Sequence, residues 1–162
     1  MPPINPAVKK QQKYKKSKKY KKGRDIVSYE TKSGNRNVLV EARKLIPIGE
    51  KRPLSISNYI WSHDKKQIMI FTNTARVWRD NTKGDYWVLN LKSGRLRQLG
   101  KDLRPSSLMF AKFSPNDNQV AYVSEHNIYI EEISSGVVKQ LTFDGSTTLI
   151  NGTFDWAYEE EF

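Results

Sequence analysis

The residues with the most chemistry in this sequence are Asp155-Trp156-Ala157-Tyr158-Glu159-Glu160-Glu161-Phe162. Three consecutive carboxylates repel one another, and each raises its neighbours' pKa unless a cation removes the penalty. The main-chain carboxylate of Phe162 adds a fourth charge. Such a cluster is expected where a cation binds, or where the chain continues past it, and both are expected here. On a regular helix adjacent side chains point about 100° apart, so two neighbouring glutamates converge on one ion only near an element's end or on an irregular turn. Asp155 is suited to cap a short C-terminal helical turn, which places the acids near its positive end.

Other chemistries are excluded or unsupported. No cysteine is present, which removes disulfides, thiol catalysis and zinc-thiolate sites, and no metal site is read. No Gly-x-Ser-x-Gly elbow occurs, so no catalytic residue is assigned within the chain. His63 and His126 fall in or beside expected turns and read as exposed turn residues rather than catalytic bases. Asn151-Gly152-Thr153 fits a glycosylation acceptor, but no apolar leader directs the chain to export. No stretch approaches the roughly 18 apolar residues that suggest a membrane span. Read literally, the chain stays in the cytoplasm.

The net charge of +11 suggests a nucleic-acid partner until it is located. Nine lysines between Lys9 and Lys22 carry most of it, and without them the balance is +2. Residues 1–23 therefore read as a disordered basic tail. Its Lys-Tyr pattern is compatible with salt-dependent polyanion binding or with anionic lipid. A solvated extension is the preferred reading, and no specific nucleic acid is expected.

The elements that must position the acidic string lie in residues 24–162, which switch to short β-branched and aromatic runs between turn residues. These runs repeat. Asn58-Tyr59-Ile60-Trp61-Ser62 with Gln67-Ile68-Met69-Ile70-Phe71 matches Phe110-Ala111-Lys112-Phe113-Ser114 with Gln119-Val120-Ala121-Tyr122-Val123 at an offset of 52. Tyr86 to Gly94 with Gln98-Leu99 matches Ile128 to Gly136 with Gln140-Leu141 at an offset of 42. The first copy thus holds ten extra residues between Thr72 and Asp85, expected as a variable loop that strand pairing does not constrain. A half-copy, Ile26 to Gly34, aligns at an offset of 60. Four-stranded units repeating at about 40–50 residues are the signature of propeller blades. The fold class is therefore all-β: a partial β-propeller of about two four-stranded antiparallel blades plus a half blade, with exposed blade edges. Trp61, Ile68, Ile70, Phe113, Val120 and Tyr122 recur at blade-core positions, while Trp87 and Tyr129 occupy equivalent outer strands.

With these repeats, Asn151-Gly152-Thr153-Phe154-Asp155-Trp156-Ala157-Tyr158-Glu159-Glu160-Glu161 resembles the Asn-Gly-x-x-Asp-Trp-Val-Tyr-Glu-Glu-Glu string of the dipeptidyl peptidase IV family. Val77-Trp78-Arg79 ahead of Gly84-Asp85-Tyr86, Phe113-Ser114-Pro115 and Asn127-Ile128-Tyr129-Ile130 add to the likeness, which runs from about Arg24 to Phe162. Ala157 departs from the pattern at a packing position. These serine exopeptidases remove N-terminal dipeptides with proline or alanine second, and a propeller covers their α/β-hydrolase domain.

The resemblance implies that Glu160 and Glu161 bind the substrate's N-terminal ammonium, that Glu159 is structural like Asp155, Trp156 and Tyr158, and that Arg79 orients the substrate's carbonyl or the glutamate pair. It implies pH-dependent substrate binding, no cofactor, and a hydrolase domain lying beyond Phe162, so the chain alone is expected to be inactive. Family members are often homodimeric and usually exported. A propeller serving only as a protein-interaction module, or polyanion binding through the tail, is the alternative function.

Overall fold

The computed structural model describes residues 23–77 and 80–153. The lysine-rich segment 1–22, Trp78-Arg79, and the string from Phe154 to Phe162 with its expected helical turn lie outside the described residues. The chain divides between Leu54 and Ser55 into two compact units.

The first unit contains an antiparallel hairpin of β1 (Ile26–Tyr29) and β2 (Arg36–Val40), followed by a 3-10 turn at Ala42–Leu45. Asp25 Oδ1 accepts the Ala42 amide at 2.8 Å, tying the start of β1 to the chain leaving β2. Ile26, Val40 and Leu45 are buried. This hairpin is the half-copy read from the sequence.

The second unit is one antiparallel sheet of eight strands: β3 (Asn58–Trp61), β4 (Gln67–Val77), β5 (Asp80–Asn90), β6 (Leu96–Gln98), β7 (Leu108–Phe113), β8 (Gln119–Ser124), β9 (Asn127–Glu132) and β10 (Val138–Gln140). β3 to β6 pair in succession as one blade and β7 to β10 as the next, matching the two sequence copies. The turns repeat as well as the strands. Gly34, Gly94 and Gly136 each donate an amide hydrogen bond of 2.8 Å to the carbonyl four residues back, from φ of +71°, +72° and +85°. A side chain at that φ is strained, which is why glycine recurs there.

β4 is covered on both faces, with Ile68, Met69 and Ile70 all buried. Between the blades lies a shared core of Met69, Tyr86, Val88, Leu99, Leu108, Ala111, Val120 and Tyr122. Each such aliphatic side chain contributes about 1.5–3 kcal/mol on burial. Of the expected core positions, Ile68, Ile70, Val120 and Tyr122 are buried, while Trp61 and Phe113 are half-buried. Tyr59 and Ile60 on β3, and Val138 on β10, are exposed. Both edge strands of the described sheet thus leave apolar side chains exposed.

One expectation is corrected. The described part of the ten-residue insertion is paired strand rather than loop: Ala75 faces Lys83 and Val77 faces Asp80, with register shifts on either side of Ala75. β4 and β5 are therefore 11 residues each. Residues of high β-propensity, Thr74, Val77 and Thr82 among them, favour pairing over open loop. Among the described residues no helix is long and apolar enough to cross a membrane.

Candidate functional site

The residues singled out from the sequence, Arg79, Asp155, Trp156, Tyr158, Glu159, Glu160 and Glu161, lie outside the described residues. The structure does define the two segments that lead to them. Arg79 follows the β4–β5 ladder just after Val77, and the acidic string follows Thr153.

The ladder is held at its base by Asp85. Its Oδ2 accepts from Asn73 Nδ2 at 2.7 Å and its Oδ1 from the Ser106 amide at 2.7 Å. Ser106 Oγ returns a hydrogen bond of 2.6 Å to the Asn73 carbonyl. This fixes the base of the hairpin to the loop before β7. β5 then pairs directly with β7 through Lys83 and Met109 and through Gly84 and Leu108. Gly84 permits close packing on β4, since a Cβ there would meet the Phe71 ring and, at 2.8 Å, the Thr72 carbonyl oxygen. β7 bulges after Met109, with Phe110 at φ +54°. Burial raises the pKa of the Tyr86 phenol, while backbone hydrogen bonds at Ala111 and Phe110 pull it down. The bulge's polar groups thus find a buried partner.

The second segment leaves β10 and returns to the β8–β9 turn. Thr142 Oγ1 and the Gly145 amide both donate to Asn127 Oδ1 at 3.1 Å. The Asn151 amide then donates to the His126 carbonyl at 3.1 Å. Asn151 Nδ2, the group a glycosylation acceptor would modify, donates to Asp144 Oδ1 at 3.0 Å.

The two segments meet one continuous row of paired residues. Gly84 faces Leu108, Leu108 faces Ser124, and Ser124 faces Asn127. The β4–β5 turn of the first blade and the β8–β9 turn of the second are equivalent positions, at the same end of the sheet. Val77 and Asp80, which flank Trp78-Arg79 in sequence, and Asn151, near the start of the acidic string, therefore lie toward this end. A cavity of 190 Å³ opens at the hairpin base between Tyr59, Met69, Phe71, Thr82 and Phe110. The Thr82 hydroxyl is buried there without a partner.

The opposite end of the sheet is built for cohesion. Asp117 is buried and accepts from the His63 amide at 2.9 Å and the Asp64 amide at 2.9 Å, with His63 Nδ1 at 2.8 Å. Burial pushes the Asp117 carboxyl up, but the hydrogen bonds from His63 and Asp64 outweigh it and hold it below the usual carboxylate range. His63 is thus an exposed turn residue, as expected, yet one whose ring and backbone bind the next blade. His126 also lies in a turn but is half-buried. A second cluster joins β6 to β9. Arg97 Nη2 donates to Glu131 Oε1 at 2.6 Å, and Glu131 Oε2 accepts from the Gly100 amide at 2.7 Å and Tyr122 Oη at 3.1 Å. Burial and the Glu131 charge push the Tyr122 phenol up. Nearby lies a cavity of 510 Å³ lined by Gln67, Arg95, Asp117 and Ser134, into which no partner reaches the buried Gln67 Oε1.

The sequence reading missed these groups. Glu131 carried a signal: at the repeat offset of 42 its counterpart is the buried Leu89, so a charge replaces an apolar core residue. Asp85 and Asn127 belong to strings that carry the resemblance, but their roles needed coordinates. Among the described residues no group of acids and histidines could hold a metal ion.

Comparison with known proteins agrees with the repeats and the acidic string. A family profile described as the dipeptidyl peptidase IV (DPP IV) N-terminal region matches residues 62–162. Dipeptidyl aminopeptidase B of Saccharomyces cerevisiae is 37% identical over 126 residues, covering 77% of this chain and 14% of that protein. Dipeptidyl peptidase 4 of Trichophyton tonsurans is 29% identical over 126 residues, covering 78% of this chain and 16% of that protein. The crystal structure of Porphyromonas gingivalis dipeptidyl peptidase 4 superposes with a TM-score of 0.71 at 27% identity, covering 85% of this chain and 19% of that one. The chain therefore spans less than a fifth of the length of each of these relatives.

Proposed function

The chain belongs to the dipeptidyl peptidase IV family, and we propose that it forms part of the substrate-binding propeller of a serine peptidase that removes dipeptides from peptide N-termini. In this reading residues 24–162 are the propeller portion and residues 1–23 a tail. Glu160 and Glu161 take the substrate's free ammonium, with Asp155, Trp156, Tyr158 and Glu159 holding their turn in shape. Arg79 orients the substrate's carbonyl or the glutamate pair, a task suited to a planar, permanently charged fork. Substrates carry proline or alanine in the second position. The nucleophile comes from an α/β-hydrolase domain outside these 162 residues, which contain no Gly-x-Ser-x-Gly elbow.

The chemistry follows from charge. An exopeptidase measures its distance from the chain end by capturing the ammonium, whose three donors complement paired carboxylates. Burying that charge without such partners is costly, so a peptide lacking the free amine loses most of the attraction. Binding needs an ionised glutamate pair and a protonated amine, and therefore weakens at both pH extremes.

The observation that supports this best is the row Gly84–Leu108–Ser124–Asn127, which links the hairpin leading to Arg79 with the segment leading to the glutamates. The test is a titration of the 162-residue chain with Gly-Pro amide followed by NMR. The amides of Glu160, Glu161 and Arg79 should shift, and N-acetyl-Gly-Pro amide should leave them in place. Equal shifts with both peptides refute ammonium recognition. The same chain should release no p-nitroaniline from Gly-Pro-p-nitroanilide, and turnover would overturn the assignment of chemistry to another domain.

A further inference from the structure

We propose that Asn151 is a self-modifying site: it converts spontaneously to aspartate and isoaspartate, at a rate set by its hydrogen bond to Asp144, and so releases the loop after β10. The chemistry is intramolecular. The backbone nitrogen of the following residue attacks the side-chain carbon Cγ and closes a five-membered imide. The new N–Cγ bond replaces the Cγ–Nδ2 bond, and ammonia leaves with the backbone amide proton. Water then opens the ring, giving aspartate by cleavage at Cγ or isoaspartate by cleavage at the main-chain carbonyl carbon. Attack is easiest where the following residue has no side chain and its nitrogen holds no hydrogen bond. Asn151 is the only asparagine in the sequence followed by glycine. Gly152 is exposed and, among the described residues, its amide has no hydrogen-bond partner. Asp144-Gly145, the only Asp-Gly pair in the sequence, could close the same ring, but the Gly145 amide is engaged by Asn127 Oδ1 at 3.1 Å. The loop carries both motifs and leaves one nucleophile open.

The two motifs restrain each other, since Asn151 Nδ2 donates to Asp144 Oδ1 at 3.0 Å. Ser146 closes the chain between them. Its Oγ accepts from the Leu149 amide at 3.0 Å and the Thr148 amide at 3.4 Å, and its own amide donates to the Leu149 carbonyl at 2.8 Å. A carboxylate accepting from Nδ2 pushes electron density onto the carboxamide, which makes Cγ a poorer electrophile and retains the leaving nitrogen. It also fixes the side-chain torsion, so ring closure waits for the contact to open. Opening is a local event, because apolar burial contributes little order here: Phe143 is 78% exposed, Leu149 44% and Ile150 48%. The step is one-way. Once oxygen replaces Nδ2, the donor facing Asp144 becomes a second anion, and attraction turns to repulsion. The isoaspartyl product also lengthens the main chain by a methylene next to Gly152. That glycine sits at φ +71°, where even a Cβ would lie 2.8 Å from Val123 Cγ2 and 2.9 Å from Ile128 Cγ1.

The test is to age the full chain at mildly alkaline pH and to map its peptides by mass spectrometry, with isoaspartyl methyltransferase labelling as a second readout. Asn151 should be modified before any other asparagine. Asp144→Ala should react at least two-fold faster than the parent in buffer, and at the parent's rate in concentrated urea, where neither chain holds the contact. Amide-exchange protection of the β4–β5 ladder serves as the control for folding. Should Asp144→Ala fail that control, the parent alone decides, because its own rate should rise at least two-fold in concentrated urea. Earlier modification of another asparagine overturns the proposal, as does a folded Asp144→Ala chain that reacts no faster than the parent. Where the parent decides, a rate that urea leaves unchanged overturns it too. In the aged parent, amide exchange at Gly145 should quicken at least two-fold while the ladder keeps its protection, and unaltered exchange at Gly145 would refute the release of the loop.

Discussion

Removing one partner of the Arg97–Glu131 pair should destabilise the two-blade unit far more than removing both charges. The Glu131 side chain is 2% exposed and Arg97 18%, and their 2.6 Å contact joins β6 of one blade to β9 of the next. Arg97→Met leaves a buried anion with two neutral donors, the Gly100 amide and the Tyr122 hydroxyl. Breaking a buried pair from one side costs about 3–5 kcal/mol, because the remaining charge is uncompensated. Arg97→Met with Glu131→Gln removes that charge and keeps one acceptor oxygen, so the double variant should lie within about 1–3 kcal/mol of the parent, the cost of an imperfectly satisfied donor. Urea unfolding followed by tryptophan fluorescence is suited to the comparison, since Trp61 and Trp87 lie on β3 and β5. With a slope of about 1–3 kcal/mol per molar, the single variant's midpoint should fall by about 1 M or more. If Arg97→Met costs under about 1 kcal/mol, or the double variant is no more stable than the single one, the buried-charge argument is wrong.

Three further outcomes test other parts of the structure. Gly84→Ala should cost about 1–3 kcal/mol in the same urea assay, because its Cβ meets the Thr72 backbone oxygen as well as the Phe71 ring; a variant as stable as the parent would show that the ladder yields there. The lowered carboxyl of Asp117 contributes stability that is present above its ordinary value of 3.8 and lost as pH falls below it. Asp117→Asn should therefore melt lower than the parent at pH 6 and lose less on acidification, with parallel melting curves from pH 6 to 2 counting against a stabilising role for the Asp117 contacts to His63 and Asp64. The slope left in that variant should include Asp64, whose carboxyl the Lys66 amide and Ser62 hydroxyl hold at about 2; Ser62→Ala should reduce it further, and an unchanged slope would remove Asp64 from the account.

The blades were legible in the sequence because a blade is a pattern of period two closed by turns of fixed chemistry. Ser93-Gly94 and Ser135-Gly136 mark the last turn of each full copy, and the seryl oxygens accept from the Arg95 and Val137 amides two residues on. The turn before β4 is legible for the same reason. Ser62 and Ser114 each donate to the side chain two residues on, Asp64 or Asn116, and accept the amide five residues on. Long-range polar ties were not legible, because nothing local distinguishes Asp117 from a solvated turn residue. Its partner His63 lies 54 positions away, and only the folded sheet brings the two turns together. The insertion was misread for a related reason. Ten residues with charges, an asparagine and a glycine have loop composition, yet pairing across β4 and β5 makes strand of those described. Of the acidic string the sequence conveys composition, and the string itself lies outside the described residues.

The contrast between the two blades explains why the extension is strand. The second blade turns from β8 to β9 through Glu125 and His126 alone. The first blade keeps the common ladder as far as Thr72 facing Asp85 and then adds chain beyond it. Chain added at a turn leaves every row below it in register, so the core between the blades tolerates the addition. Chain added as open loop would have to be ordered each time a ligand bound, at about 1–2 kcal/mol per backbone residue fixed. Pairing Ala75 with Lys83 and Val77 with Asp80 meets much of that cost during folding, and Ser106 and β7 brace the base from outside the hairpin. An arginine flanked by such a ladder starts from an ordered backbone on both sides. The loop after β10 has no partner strand, and reaches a comparable end through Asn127 and a glycine packed against a carbonyl. The two segments therefore depend on different forces. Agents that weaken isolated polar ties should loosen the loop after β10 before they disturb the hairpin, and amide exchange at Gly145 and Asn151 should outrun that at Ala75 and Lys83 as urea rises. Equal rates at the four amides would refute this division.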